Sequence, residues 1–253
     1  MDPKGHAAIV TGAASGLGAE TATQLAKASV KVACLDINFD GAKVVAEKIG
    51  GIAIRCDVTS ADGAEAALKE ARDKHGPARI LINCAGIGPA KRMVGRDGPM
   101  PLDDFAKVIA VNLTGTFNMM RLCAADMQNL SPFADGERGV IVSTASVAAY
   151  EGQIGQAAYS ASKGGIVAMT LPIAREFARI GVRVMTIAPG TFETPLLGAL
   201  PEAARQSLAQ QVPFPPRLGR PEEFAALVQH IFQNEMLNGE VIRLDGAIRM
   251  APR

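Results

Sequence analysis

Residues 7–18 read Ala7-Ala8-Ile9-Val10-Thr11-Gly12-Ala13-Ala14-Ser15-Gly16-Leu17-Gly18. A short apolar run, Ala7–Val10, passes without alternation into a turn holding three glycines, and a helical period over Leu17–Ala28 follows at once. An unbroken apolar run marks a strand covered on both faces. Glycines let the backbone turn tightly and approach a pyrophosphate, whose charge is met by the N-terminus of the next helix. The spacing T-G-x-x-x-G-x-G departs from G-x-G-x-x-G, so the strand–turn–helix context carries the reading. Gly12, Ser15, Gly16, Leu17 and Gly18 are the expected contacts there.

Outward from this turn the same alternation repeats. Lys31–Leu35, Ile52–Arg55, Ile80–Ile82, Gly139–Ser143, Arg183–Ile187 and Val241–Leu244 are further apolar runs of strand length. Phe39–Ile49, Ala61–His75, Leu102–Leu130 and Ala157–Ile180 read as helices between them. Seven strands with intervening helices predict one α/β domain over residues 1–253: a doubly wound Rossmann fold, its seven-stranded parallel sheet covered by helices on both faces. Ile87–Pro101 and Thr194–Pro216 break the rhythm and read as long loops past strand ends. Doubly wound sheets place ligands there, so both are candidate substrate walls.

The strand ends continue the nucleotide argument. Asp36 closes the second strand, where a carboxylate accepts both hydroxyl hydrogens of an adenosine ribose. A 2′-phosphate would meet a like charge, and neither Ile37 nor Ser15 supplies a cation, so NAD is expected over NADP. Asp57-Val58 follows the third strand, in reach of an adenine amino group. Asn83-Cys84-Ala85-Gly86 follows the fourth, with small residues that admit a ribose.

Tyr159 and Lys163 are four apart on an expected helix and share a face. A phenol has an ordinary pKa of about 10 and is a poor base at neutral pH. An ammonium one turn away and the positive ring of an oxidised nicotinamide both favour the phenolate, which makes Tyr159 a general acid/base. Ser146 lies thirteen residues earlier; its hydroxyl shares the reacting oxygen with the phenol. Ser143 competes for that role but reads as lying inside the strand. Asn112 sits in a polar break of Leu102–Leu130, which points to a structural or water-relay role.

The totals limit the alternatives. The 253 residues are 48% hydrophobic and 20% charged, with a formal net charge of +1. That balance gives no electrostatic case for a nucleic acid or an anionic membrane. Apolar runs of strand length predict no bilayer-spanning segment. The N-terminus enters a strand pattern directly, so the chain is expected to be mature from Met1 and cytoplasmic. Cys34, Cys56, Cys84 and Cys123 are scattered in apolar contexts and read as free buried thiols. His6, His75 and His230 form no ligand spacing, and no metal is expected.

TGAASGLG, Asp36, Asp57-Val58, NCAG, Asn112, Ser146, Tyr159, Lys163 and Pro189-Gly190 occur together, in order, along the whole chain. That ordered set resembles the short-chain dehydrogenase/reductase family. The resemblance implies that Tyr159 is the acid/base and that Ser146 orients the substrate oxygen. It further implies that Lys163 binds the nicotinamide ribose and lowers the tyrosine pKa, and that Asn112 holds a relay water.

Longer stretches, among them STASVAAYEGQIGQAAYSASKGG and QVPFPPRLG, are similar to a branch of the family acting on 3-hydroxyacyl-CoA. For that branch the resemblance implies NAD, (S)-3-hydroxyacyl-CoA substrates of fatty-acid or isoleucine breakdown, and a homotetramer. It also places Gln153, Gln156 and Phe192–Thr194, with Pro189 and Gly190, near substrate or nicotinamide. Lys91, Arg92 and Arg96 offer a grip for CoA phosphates, or a solvated basic loop. A steroid or other secondary-alcohol dehydrogenase remains open, as do a carrier-protein reductase and a non-catalytic scaffold. Ala157–Ile180, apolar around most of its circumference, needs cover beyond its own sheet, and Pro172 removes one of its backbone donors.

Overall fold

The computed structural model describes residues 1–96, 98–198 and 202–252. Its strands and helices alternate: β1 (Ala7–Thr11), α1 (Gly16–Lys27), β2 (Lys31–Asp36), α2 (Phe39–Ile49), β3 (Ile52–Arg55), α3 (Ala61–His75) and β4 (Ala78–Asn83). Two short strands follow, β5 (Val94–Gly95) and β6 (Gly98–Pro99), then α4 (Leu102–Ile109) and α5 (Gly115–Met127). The second half runs β7 (Gly139–Thr144), α6 (Ala157–Phe177), β8 (Val182–Pro189), α7 (Pro195–Gly198), α8 (Glu202–Gln210), α9 (Pro221–Gln233) and β9 (Val241–Leu244).

Seven strands form one parallel sheet in the order β3-β2-β1-β4-β7-β8-β9. Strand order reverses between β1 and β4, and the chain leaves both at their carboxyl ends into glycine-rich turns. A crevice at such a switch point is where this fold binds ligands. The expected double cover is present. Val10, Ile82 and Val142 face Leu25 of α1 and Phe224 of α9 on one side. Ile9, Leu81 and Ile141 face Leu68 of α3 and Met119 of α5 on the other. Successive side chains point to opposite faces, so both must be apolar for the strand to be buried at all.

Local chemistry sets the helix ends. Asn38 caps α2 through Gly41 N and Ser60 caps α3 through Gly63 N. Capping α2 therefore falls to Asn38, which leaves Asp36 available to the crevice. The segment expected as one helix from 102 to 130 is divided by a π-helical turn, Ala110–Thr114. Taken as one span, Leu102–Met127 is long and apolar enough to cross a bilayer by length and composition alone, contrary to the expectation from run lengths. Apolar residues spread around the helix, rather than in one run, produce the difference; here half of the span is buried and α5 packs on β4. Pro172 is accommodated within α6, which continues to Phe177.

Both expected loops carry structure. Val94–Gly95 and Gly98–Pro99 pair as an antiparallel ribbon within 87–101. Thr194–Pro216 contains α7 and α8, with residues 199–201 outside the described part.

A buried ion pair ties β8 to the loop before β7. Arg183 Nε donates to Glu137 Oε1 at 2.8 Å, and Arg183 Nη1 donates to the carbonyls of Ile231 and Leu237 at 2.9 and 2.8 Å. The guanidinium thus satisfies carbonyls at the end of α9. Arg183→Met is expected to leave buried Glu137 with only the Met1 ammonium, 3.4 Å from its Oε2, and three carbonyls short of a donor, at a cost of about 2–4 kcal/mol in urea denaturation. A loss below about 1 kcal/mol would show that the pair is incidental.

Candidate active site

A crevice of about 700 Å³ opens past the carboxyl ends of β1, β4, β7 and β8. That volume is in the range of a cofactor-sized site. Gly12, at φ +67°, could not carry a side chain: a Cβ would lie 2.6 Å from Ala85 N and 2.7 Å from Cys84 O. The close approach is fixed by Thr11 Oγ1, which accepts from Cys84 N and Ala85 N, each at 3.2 Å. Gly18 packs equally closely on the Gly12 carbonyl.

The N-cap of α1, Ser15, makes no side-chain hydrogen bond, and the first turn has no acidic residue. Unlike α2 and α3, this twelve-residue helix presents uncapped amides to the crevice. Such amides suit a pyrophosphate. Asp36 also lines the crevice, its Oδ2 accepting from Ala14 N at 3.0 Å and its Oδ1 from Asn38 N at 2.9 Å. Asp57 Oδ1 accepts from Thr59 N and Oγ1, and both Asp57 and Val58 line the wall. Beyond Pro189-Gly190, the buried Thr191 Oγ1 has no hydrogen-bond partner among the described residues. Uncapped amides, a fixed carboxylate and an orphaned hydroxyl fit an elongated, phosphate-bearing polar ligand.

Ser146, Tyr159 and Lys163 meet at one wall. β7 delivers Ser146 three residues after Ser143; the latter is buried in the sheet, where it takes a hydrogen bond from Asn83 and is not part of the lining. Lys163 is fully surrounded, donates from Nζ to the Thr144 carbonyl at 2.7 Å, and lies 5.8 Å from the centre of the Tyr159 ring. Burial pushes its ammonium down to about 8.

The Tyr159 hydroxyl departs from expectation. Burial raises its pKa, and only the neighbouring Ser146 hydroxyl pulls it back. The acidification expected from Lys163 is therefore not delivered by the protein's own groups: burial disfavours the phenolate more than they favour it. Below that raised pKa the phenol is the acid form, suited to protonating a carbonyl oxygen.

Two expected residues are placed differently. Asn83, the last residue of β4, turns its side chain into the interior. Its Nδ2 donates to Ser143 Oγ at 3.3 Å and its Oδ1 has no partner, so only Cys84, Ala85 and Gly86 reach the crevice. Asn112, expected to have a structural or water-relay role, is buried behind the wall, and its side chain is structural. Its Oδ1 accepts from Ile87 N at 2.8 Å, and its Nδ2 donates to Ile87 O at 2.9 Å and to Ser162 Oγ at 3.0 Å. With those bonds its side chain clamps the turn after β4 onto α6. The π-helical turn Ala110–Thr114 brings it there; the polar break in the sequence marks its place but not its helix type.

The other expected contacts line the crevice: Pro189, Gly190, Phe192 and Thr194 on one side, Gln153 and Gln156 on the other. Part of each glutamine is already engaged. Gln153 Nε2 donates to Ala251 O at 3.0 Å, and Gln156 Oε1 accepts from Gln153 N at 2.9 Å. Cys84 Sγ lies 3.4 Å from Thr144 Oγ1, and burial pushes its thiol up to about 11. Sequence reasoning missed the Thr144 carbonyl, Thr191 and Met250. Only Thr191, next to Pro189-Gly190, had a neighbouring signal.

A phosphate-receiving turn at the switch point, joined to a phenol, a hydroxyl and a buried ammonium, defines a dinucleotide-binding enzyme of the doubly wound class. The model of the short chain dehydrogenases matches residues 6–205, and the chain belongs to that family. It is thus an oxidoreductase using a nicotinamide cofactor on a small-molecule substrate. Among curated relatives, a 3-hydroxyacyl-CoA dehydrogenase type-2 of Bos taurus is 54% identical, over 98% of this chain and 97% of its own. A 3-oxoacyl-[acyl-carrier-protein] reductase of Thermotoga maritima is 32% identical, over 98% and 99%. The crystal structure of 3-hydroxyacyl-CoA dehydrogenase type-2 from Mycobacterium avium is similar at a TM-score of 0.93 and 42% identity, covering 98% of both chains.

Proposed function

We propose that the protein oxidises (S)-3-hydroxyacyl-CoA to 3-oxoacyl-CoA with NAD, short and 2-methyl-branched acyl groups included. The observation that carries this is the convergence of Ser146, Tyr159 and Lys163 on one wall of a crevice whose far end holds Asp36. The likeness to a 3-hydroxyacyl-CoA dehydrogenase over essentially the whole chain supports the substrate class.

An oxidised nicotinamide supplies the hydride acceptor and a positive charge. The remaining work belongs to the chain. Ser146 holds the 3-hydroxyl oxygen, and Tyr159 Oη takes its proton while C3 gives up its hydrogen with the electron pair. Lys163, pinned by Thr144 O, keeps a cation beside the phenol and the nucleotide ribose. In the reverse direction the protonated phenol returns the proton to the carbonyl oxygen.

NAD is favoured by charge. Arg55, opposite Asp36 in register across β2 and β3, donates instead to Ile37 O at 2.9 Å and stacks on the Phe39 ring. It is not part of the crevice lining, so a 2′-phosphate would meet the carboxylate without compensation. Arg92 and Arg96 are exposed in the segment whose Ile87, Gly88 and Ala90 line the crevice, and suit CoA phosphates, whereas Lys91 pairs with Asp104. Phe117 of α5 and Leu171 of α6 are half-exposed apolar groups, a face suited to self-association as a homotetramer.

NADH production from 3-hydroxybutyryl-CoA, its 2-methyl analogue and a steroid alcohol tests the substrate class. With NADPH and NADH compared in reduction, wild type is expected to prefer NADH by at least about 100-fold, and Asp36→Ala to lose most of that preference. Turnover of the steroid alone, or a preference for NADPH, would contradict the reading.

A further inference from the structure

The chain leaves β9 at Leu244, turns, buries Ile248 completely beneath Gly190, and then runs back across the catalytic side of the molecule. It is fastened there to the loop between Ser146 and Tyr159. Ile154 N donates to Pro252 O at 3.0 Å, Gln153 Nε2 donates to Ala251 O at 3.0 Å, and Met250 N donates to Glu151 Oε2 at 3.4 Å. Glu151 is itself gripped by both terminal nitrogens of Arg243, at 2.8 and 3.0 Å. A forked guanidinium–carboxylate pair fixes orientation as well as distance.

The same loop anchors a second wall. Lys91 N donates to Gly155 O at 2.8 Å, which ties the 87–101 segment to it. Two segments far apart in sequence are thus held against the loop that carries Gln153. Between them, the half-buried side chain of Met250 lines the crevice. Met250 is fastened to Glu151, and the two residues after it to Gln153 and Ile154, so it stands at the end of the crevice where Ser146 and Tyr159 receive substrate, away from Asp36.

We propose that Met250, held on this strap, is a wall of the substrate subsite and sets how much bulk the substrate carries beside the reacting carbon. This rests on the reading of the crevice as a secondary-alcohol site. A thioether chain is unbranched and apolar, so it bounds a pocket without contributing a polar contact. Shortening it opens room, and a larger ring fills it.

The test compares Met250→Ala and Met250→Phe with wild type. kcat/KM is measured with NAD on 3-hydroxybutyryl-CoA, 3-hydroxydecanoyl-CoA and the 2-methyl-branched thioester, and in parallel on small and large plain secondary alcohols. NADH affinity is read separately by fluorescence. Met250→Ala is expected to raise the ratio of bulky to small substrate about tenfold and Met250→Phe to lower it by a similar factor, the size of effect that a few methylenes exert in an apolar pocket. NADH affinity stays within about twofold in both, since the strap does not bound the nucleotide end. Ratios that stay fixed in both variants, or move the same way in both, overturn the proposal, as does a shift that tracks NADH affinity. If the thioesters are inert while plain alcohols react, the CoA reading falls, and the alcohol ratios judge the strap by the same rule.

Discussion

Tyr159→Phe is expected to lower kcat by about 10²–10⁴-fold in both directions while leaving NADH affinity near that of wild type. The substitution removes one oxygen from a ring that keeps its packing, so the loss reports proton transfer. Burial raises the Tyr159 pKa, and this gives the prediction a sign. The acid form persists further into alkaline pH than for a free phenol, so carbonyl reduction is sustained across neutral pH. Alcohol oxidation needs the base form and climbs as pH rises. Both dependences are expected to vanish in the phenylalanine variant; a variant that keeps most of its activity, or the wild-type pH profile, would remove Tyr159 from the chemistry.

Lys163→Met is the second large effect, with kcat expected to fall about 10²–10³-fold, the range seen when one fixed electrostatic donor is deleted. Nucleotide affinity is expected to weaken too, which separates this variant from Tyr159→Phe. Stability carries an independent signature. Burial depresses the Lys163 pKa to about 8 from an ordinary 10.5. Below about pH 8 the native state bears the full cost of a buried cation. Between there and 10.5 the unfolded chain binds more protons than the native one, so wild-type stability rises with pH. The methionine variant has no such dependence. Relative to it, wild type should therefore gain up to about 3 kcal/mol between pH 8 and pH 10.5. A difference that stays flat over that window would mean that Lys163 is not the buried cation described.

Much of this arrangement was legible in the sequence because it rests on local rules. The runs read as strands differ from β1–β4 and β7–β9 only by a residue or two at their ends, since a strand buried on both faces must be apolar at most positions. Asp36, Ser146 and the Tyr159–Lys163 pair were legible because strand ends and helix periodicity place them without knowledge of packing. The side-chain direction of Asn83 was not, and the sequence left two roles open for Asn112. Whether an asparagine at a strand end faces crevice or interior depends on the pleat, and the polar break around Asn112 gave its place but not the π-helical turn that orients it. The burial of the Tyr159 phenol was not legible for a related reason. A sequence gives the neighbour at i+4 but not the depth of burial, and depth decides the sign here. Met250 carried no signal, because its role depends on hydrogen bonds to a loop nearly a hundred residues earlier in the chain.

In the proposed reaction the carbon bearing the substrate hydroxyl passes its hydrogen, with both electrons, to the nicotinamide in this crevice. Oxidation of 3-hydroxybutyryl-CoA carrying deuterium at C3 tests it directly. The account requires one deuterium per turnover in the reduced nucleotide, on one face of its C4, and none in the solvent. Deuterium appearing in water, or reduced nucleotide free of label, would contradict it.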